Sequence, residues 1–283
     1  MRPWRDRSDR SAGLYAPTVA AILIASIHPP ASPELIVDLE SKFAAFTKQV
    51  ELVIDTPIHF GDVAEVWFDY QGSTLRWLNQ TAHEHGAVIV PVTAGGEDAG
   101  YRLAMRFLSA LSFQEDLPIA VLAHVPGLRS SRPHLSIPKH LGGVRLSPIL
   151  HRAREAEPTA RRQLALAFYR EGANSRSVYY EFLNYYKVIQ LAFNEGGARI
   201  ESWINENVEG LNYSGVLERV REIRHVEPDI AKYLYKSGRC AIAHTGYAPS
   251  VDPDDAEDLL RLTRDLILAK GLARLAIESG LFD

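Results

Sequence analysis

Hydrophobic and polar positions change their period once along this chain. In the first half, β-branched and aromatic runs at 18–27, 50–58, 63–70, 87–92 and 119–124 are punctuated by Pro, Gly and Asn and read as strands. One helix is predicted among them, over 99–113, where Leu103, Met105, Phe107, Leu108 and Leu111 supply an apolar side. From Pro126 to Pro158 the chain is rich in Pro, Gly, Ser, Arg and His, which describes an irregular crossover ending in a domain boundary near residue 150. After Pro158 the period is helical. A first helix is predicted over 159–171. Val178, Phe182, Tyr186, Ile189 and Phe193 then recur at spacings of three and four, and Gly196-Gly197 can supply a left-handed cap that stops their helix. Further faces are Tyr213, Val216, Leu217, Val220 and Ile223, then Ile230, Leu234, Ser237 and Ala241. The last helix opens with Asp252 as N-cap and Pro253 at the first helical position, and Leu259, Leu260, Leu266 and Ile267 are its expected buried stripe. The predicted fold class is α+β: a mixed, β-rich N-terminal domain over 1–150, then an all-α bundle of about five helices over 151–283.

Composition narrows the chemistry. The 283 residues, 46% of them apolar, suffice for two cores. A formal charge of −4 argues against coating by nucleic acid through bulk electrostatics, so any such contact must be local. Cys240 is the single cysteine, which excludes an intrachain disulfide and a thiolate zinc site and points to a reducing, cytoplasmic compartment. Arg2, Arg5, Arg7 and Arg10 ahead of the apolar run 14–27 imitate a secretory signal. Asp6 and Asp9 interrupt the imitation, the run is β-branched, and Ile27-His28-Pro29-Pro30 offers no small-x-small cleavage site; a buried strand is expected instead. At this length the run is also too short to span a bilayer.

Few segments carry candidate chemistry. His83-Glu84-His85 lacks a third ligand and reads as a solvated loop, so no metal and no cofactor is expected. Gly95-Gly96-Glu97-Asp98-Ala99-Gly100 is a turn without the spacing of a dinucleotide fingerprint. Arg129, Arg132, His134, Lys139, His140, Arg145, His151, Arg152 and Arg154 form one basic neighbourhood, read as an exposed crossover ahead of an RNA track. The remaining signal is Arg239-Cys240-Ala241-Ile242-Ala243-His244, on a helix late in the bundle.

This segment resembles the Arg-x4-His motif of HEPN domains. Together with the stretch 170–190 and the β-rich first half, it more specifically resembles the methylamine utilisation protein MauJ family. The HEPN resemblance covers about 125 residues, and the MauJ resemblance nearly the whole chain. It implies an RNA-binding protein or a metal-independent endoribonuclease whose site is shared across a homodimer of C-terminal helices, or else a non-catalytic accessory module, with a protein partner for the N-terminal domain left open. The position after the Arg is usually Asn or another polar residue, and here it is Cys240, a weak hydrogen-bonder that behaves as a small hydrophobe.

Such a pair suits attack of a ribose 2′-hydroxyl on the adjacent phosphate. Histidine moves the proton and the permanently charged guanidinium holds the phosphate oxygens. On an ideal helix five residues set the two side chains about 140° apart, which favours a site completed by a second copy. Cys240, Lys187, Tyr185, Tyr186 and Glu181 are the neighbouring candidates for RNA contact or support. In the alternative, structural reading, Arg239 pairs with an acid such as Glu181 and His244 caps or packs a helix end.

Overall fold

The computed structural model describes residues 22–24, 46, 48–60, 65–81, 84–126, 144–146, 158–193, 197–244 and 250–282. The first half builds a six-stranded sheet in the order β1-β4-β5-β6-β2-β7, from β1 (Ile22–Ile24), β2 (Lys48–Asp55), β4 (Glu65–Tyr70), β5 (Ser73–Leu78), β6 (Gly86–Val92) and β7 (Ala120–Pro126). Only β1 with β4 is parallel in it; the other pairings are antiparallel. A second, two-stranded parallel sheet joins β3 (Ile58–Phe60) to β8 (Val144–Leu146), a short strand inside the expected crossover.

Two strand readings are corrected. The run 50–58 is split between β2 and β3, because Pro57 has no N–H to continue the ladder, and the Thr56 hydroxyl takes the Ile58 N–H at 3.2 Å. Strand β5 was not predicted. Its buried Leu75 and Trp77 alternate as a strand requires, but Gln71-Gly72, with φ of 51° and 71°, makes the hairpin turn without the Asn-Gly or Asp-Gly signal.

Helix α1 (Glu97–Glu115) covers one face of the sheet through Ala104, Phe107, Leu108 and Leu111. Gly100 makes this close: a Cβ there would lie 2.4 Å from Val92 Cγ1. The far end of α1 belongs to the other core, where Phe113 meets the Tyr169 ring edge-on at 5.1 Å. Asp116, the left-handed cap of α1, accepts from the Tyr169 hydroxyl at 2.7 Å and pairs with Lys270 at 2.9 Å. The two halves thus have separate cores joined along the end of α1.

The helical half comprises α2 (Ala160–Asn174), α3 (Val178–Ala192), α4 (Gly197–Asn207), a 3-10 turn (Val208–Gly210), α5 (Val216–Arg224), α6 (Ile230–Tyr233), a π-helical segment (Leu234–Cys240), α7 (Ala241–Ala243) and α8 (Ala256–Glu278). Three readings change here. Helix α3 ends at Ala192 with an extended Phe193 as its cap; Gly196 lies outside the described residues, and Gly197 opens the unpredicted α4, whose Ile200, Trp203 and Ile204 carried a weak helical signal. Helix α8 starts later than expected, with Asp255 as its N-cap accepting from Glu257 N at 2.7 Å. Its buried stripe is Leu262, Asp265, Ala269, Leu272 and Ala276, while Leu259 and Leu260 are exposed. Spacings of three and four are kept; Leu266 and Ile267 pack half-buried against the core as expected, while the deepest line runs through a charged residue that an apolar reading leaves out. Among the described residues, no helix is long and apolar enough to cross a membrane.

Candidate functional site

Asp265 organises the bundle beneath the motif. It is fully buried on α8 and accepts from Arg219 Nε of α5 at 2.8 Å and from the Tyr233 hydroxyl of α6 at 3.2 Å, with Arg261 Nη1 at 3.5 Å. Burial pushes its carboxyl up from the ordinary 3.8, against the pull of Arg219 and Arg261. Arg261 reaches further: Nη1 donates to the Ser237 carbonyl at 2.8 Å and Nη2 to Asp258 at 3.0 Å. The charge cluster is thereby tied to the π-helical segment. Within that segment Ala241 N–H donates to the Lys236 carbonyl, five residues back, and one extra residue is accommodated per turn.

Gly238 sits directly on α3. A Cβ there would lie 2.3 Å from Cζ of Phe182, a ring stacked at 6.1 Å on Tyr186. Gly238→Ala is therefore expected to destabilise the protein by about 1–3 kcal/mol through overpacking. Thermal unfolding measures this; an unchanged melting temperature would show that α3 yields freely.

At the rim of the cluster, Glu222 accepts from Arg219 Nη1 at 2.6 Å, and this hydrogen bond holds its carboxyl below the ordinary 4.5. A depressed folded-state pKa contributes stability above the unfolded value, and that contribution is lost as pH falls through the folded value. Glu222→Gln should thus lower the melting temperature at pH 7, with the difference from wild type closing below pH 4.5. A constant difference across that range would remove Glu222 from the linkage.

The π turn and the end of α7 bring the motif together within one chain. Arg239 Nη1 lies 2.9 Å from His244 Nε2. His244 has left the helix, with φ −132° and ψ 103°, so its exposed imidazole turns back toward the half-buried guanidinium. The separation of about 140° expected on an ideal helix does not apply, and no second copy is needed to join the pair. A guanidinium only donates, so Nε2 is the accepting atom of this contact. Arg239 also lies 3.9 Å from Cys240 Sγ and 5.9 Å from the Tyr235 ring centroid. Among the described residues it has no carboxylate within ion-pair range, so the expected pairing with Glu181 is not made.

The other candidates separate into two groups. Tyr186 and Cys240 lie beside the pair; burial raises the Tyr186 hydroxyl, and Cys240 holds the Tyr235 hydroxyl up. Tyr185 and Glu181 face away, toward Tyr169 and Lys270 at the junction with α1, where burial raises both groups. Lys187 lies over the Phe168 ring at 5.2 Å, also away from the pair. Tyr235, next to Arg239 and exposed, was missed; its place one turn before the Arg was the available signal. His83 and the basic neighbourhood lie outside the described residues, apart from the β8 backbone of Arg145. His85 is buried. Among the described residues, no group of three or more His, Cys, Asp or Glu could hold a metal ion.

Residues 165–278 match the family model described as methylamine utilization protein MauJ. The match takes in the bundle from within α2 to the end of α8, hence the Arg239–His244 pair and the Asp265 cluster, and not nearly the whole chain. This part of the protein is MauJ-like. No curated protein and no solved structure matches the chain significantly.

Proposed function

We propose that the helical half is a HEPN-like RNA-binding unit whose Arg239–His244 pair cleaves RNA without a metal ion. The observation that supports this reading is the 2.9 Å contact itself: an exposed imidazole and a guanidinium with no carboxylate partner among the described residues. A guanidinium neutralised by an acid would be a structural ion pair; this one keeps its charge available. An arriving phosphodiester offers it two oxygens and a stronger, charge-assisted interaction than the ring nitrogen does. Nε2 is then released to take the 2′-hydroxyl proton. The 2′-oxygen bonds to phosphorus, the bond from phosphorus to the 5′-oxygen breaks, and the leaving oxygen takes a proton back. The products are a 2′,3′-cyclic phosphate and a 5′-hydroxyl. The ribose supplies the nucleophile and arginine supplies the charge stabilisation, so the step calls on no metal.

The proposal places the protein in the cytoplasm as a homodimer through its C-terminal helices, which would set two such pairs near one another. Light scattering should give twice the mass of the chain; a monomer that cleaves at full rate removes the dimer. The catalytic reading is tested with purified protein and single-stranded RNA in excess EDTA, where cyclic-phosphate ends are expected. The MauJ match favours a second reading, a non-catalytic accessory module of methylamine utilisation with a protein partner for the N-terminal domain. In that case wild type is inert on a panel of RNAs, while Arg239→Ala and His244→Ala each lower the melting temperature.

A further inference from the structure

A groove of about 410 Å³ opens beside the motif, a size typical of small-ligand sites. Its aromatic walls are Tyr186 of α3, Phe193 just past the end of that helix, and Tyr235 of the π segment. Tyr235 belongs to both places, because the same ring lies under the Arg239 guanidinium at 5.9 Å. Whatever phosphate Arg239 holds is therefore next to an aromatic slot, which is the arrangement by which single-stranded nucleic acids are gripped: charge on the backbone, a ring face on the base. The groove also has two polar groups, the Gln190 amide and the Glu201 carboxylate. A methyl at Gly197 would sit 3.7 Å from Glu201 Oε1, so this carboxylate lies along the bare backbone that opens α4.

We infer that this groove binds one base of the RNA and selects guanine, with Glu201 reading its Watson–Crick edge; the inference rests on the RNA reading of the Arg239–His244 pair. An ionised carboxylate only accepts. Guanine alone presents two adjacent donors, N1–H and the N2 amino group, to such a pair of oxygens. Adenine and cytosine set a ring-nitrogen lone pair beside their amino group, against the carboxylate, and uracil flanks its single N–H with two carbonyls. Gln190 can donate to the guanine O6. Tyr235 supplies the stacking surface, which every base can use, so affinity and selectivity reside in different side chains.

The test uses the full chain and uridine hexanucleotides, fluorescently labelled, that carry one central guanine, inosine, adenine or cytosine, with binding followed by anisotropy. The guanine strand should bind roughly 5- to 150-fold more tightly than the adenine strand, the discrimination that one bidentate base contact provides. Inosine, which lacks the N2 amino group, should fall between them. Glu201→Gln should bring the four strands together, while Tyr235→Ala should weaken all of them. Binding that depends on Arg239 but is indifferent to the central base overturns the guanine site and leaves the RNA reading standing. Failure of every strand to bind wild type overturns both.

Discussion

On the proposed RNA-cleaving reading, His244→Ala is expected to lower the cleavage rate on the order of 10²- to 10⁴-fold, the contribution of a positioned proton-transfer group. The expectation follows from the acceptor role of Nε2: of the two residues in contact, only the imidazole can take a proton. Arg239→Ala should fall comparably while the fold survives, because the guanidinium acts on charge that develops in the transition state. Arg239→Lys keeps a charge but not the planar fork, and should recover only part of the loss. Cys240→Asn supplies the polar residue that the HEPN resemblance implies there and, on the same reading, should preserve or raise the rate, since Sγ is a weak acceptor 3.9 Å from the guanidinium. Equal rates for wild type and His244→Ala, with the same product ends, would take the imidazole out of the reaction.

Asp265→Ala is expected to cost about 3–5 kcal/mol of folding stability, the penalty for leaving buried charges without their partner. Burial already opposes the charge on Asp265, so the loss comes chiefly from Arg219 and Arg261, which lose their buried partner and keep only Glu222 and Asp258 as acids. Replacing the closest pair together should be milder: Asp265→Leu with Arg219→Met should recover much of the loss, because only Arg261, which keeps Asp258, then loses a partner. Amide exchange should also quicken across the π-helical segment, where Arg261 loses one of its supports. Chemical denaturation of the single and double variants decides the matter. A loss below about 1 kcal/mol in Asp265→Ala would place the cluster in the range of surface ion pairs.

The change of period near Pro158, most of the strands, most of the helices and the Arg-x4-His segment are all legible in the amino-acid sequence, because each is written in local spacing. Strand β5 escaped because its turn, Gln71-Gly72, uses left-handed residues outside the usual hairpin pairs. Helix α4 escaped because its apolar positions are few and follow a glycine read as a stop.

By itself, then, the sequence determined the α+β class, the order of strands before helices, and which two side chains to watch. Only the tertiary structure decided how those side chains stand. The phase of α8 was settled by Arg219 and Tyr233, which make a core position tolerable for Asp265, and partners 46 and 32 residues away leave no trace in a local pattern. The π-helical segment depends in the same way on Gly238 resting against Phe182 and on Arg261 holding the Ser237 carbonyl. A five-residue spacing gives one angle on an ideal helix and another here, because long-range packing, and not local propensity, selects the hydrogen-bond register that brings Arg239 to His244.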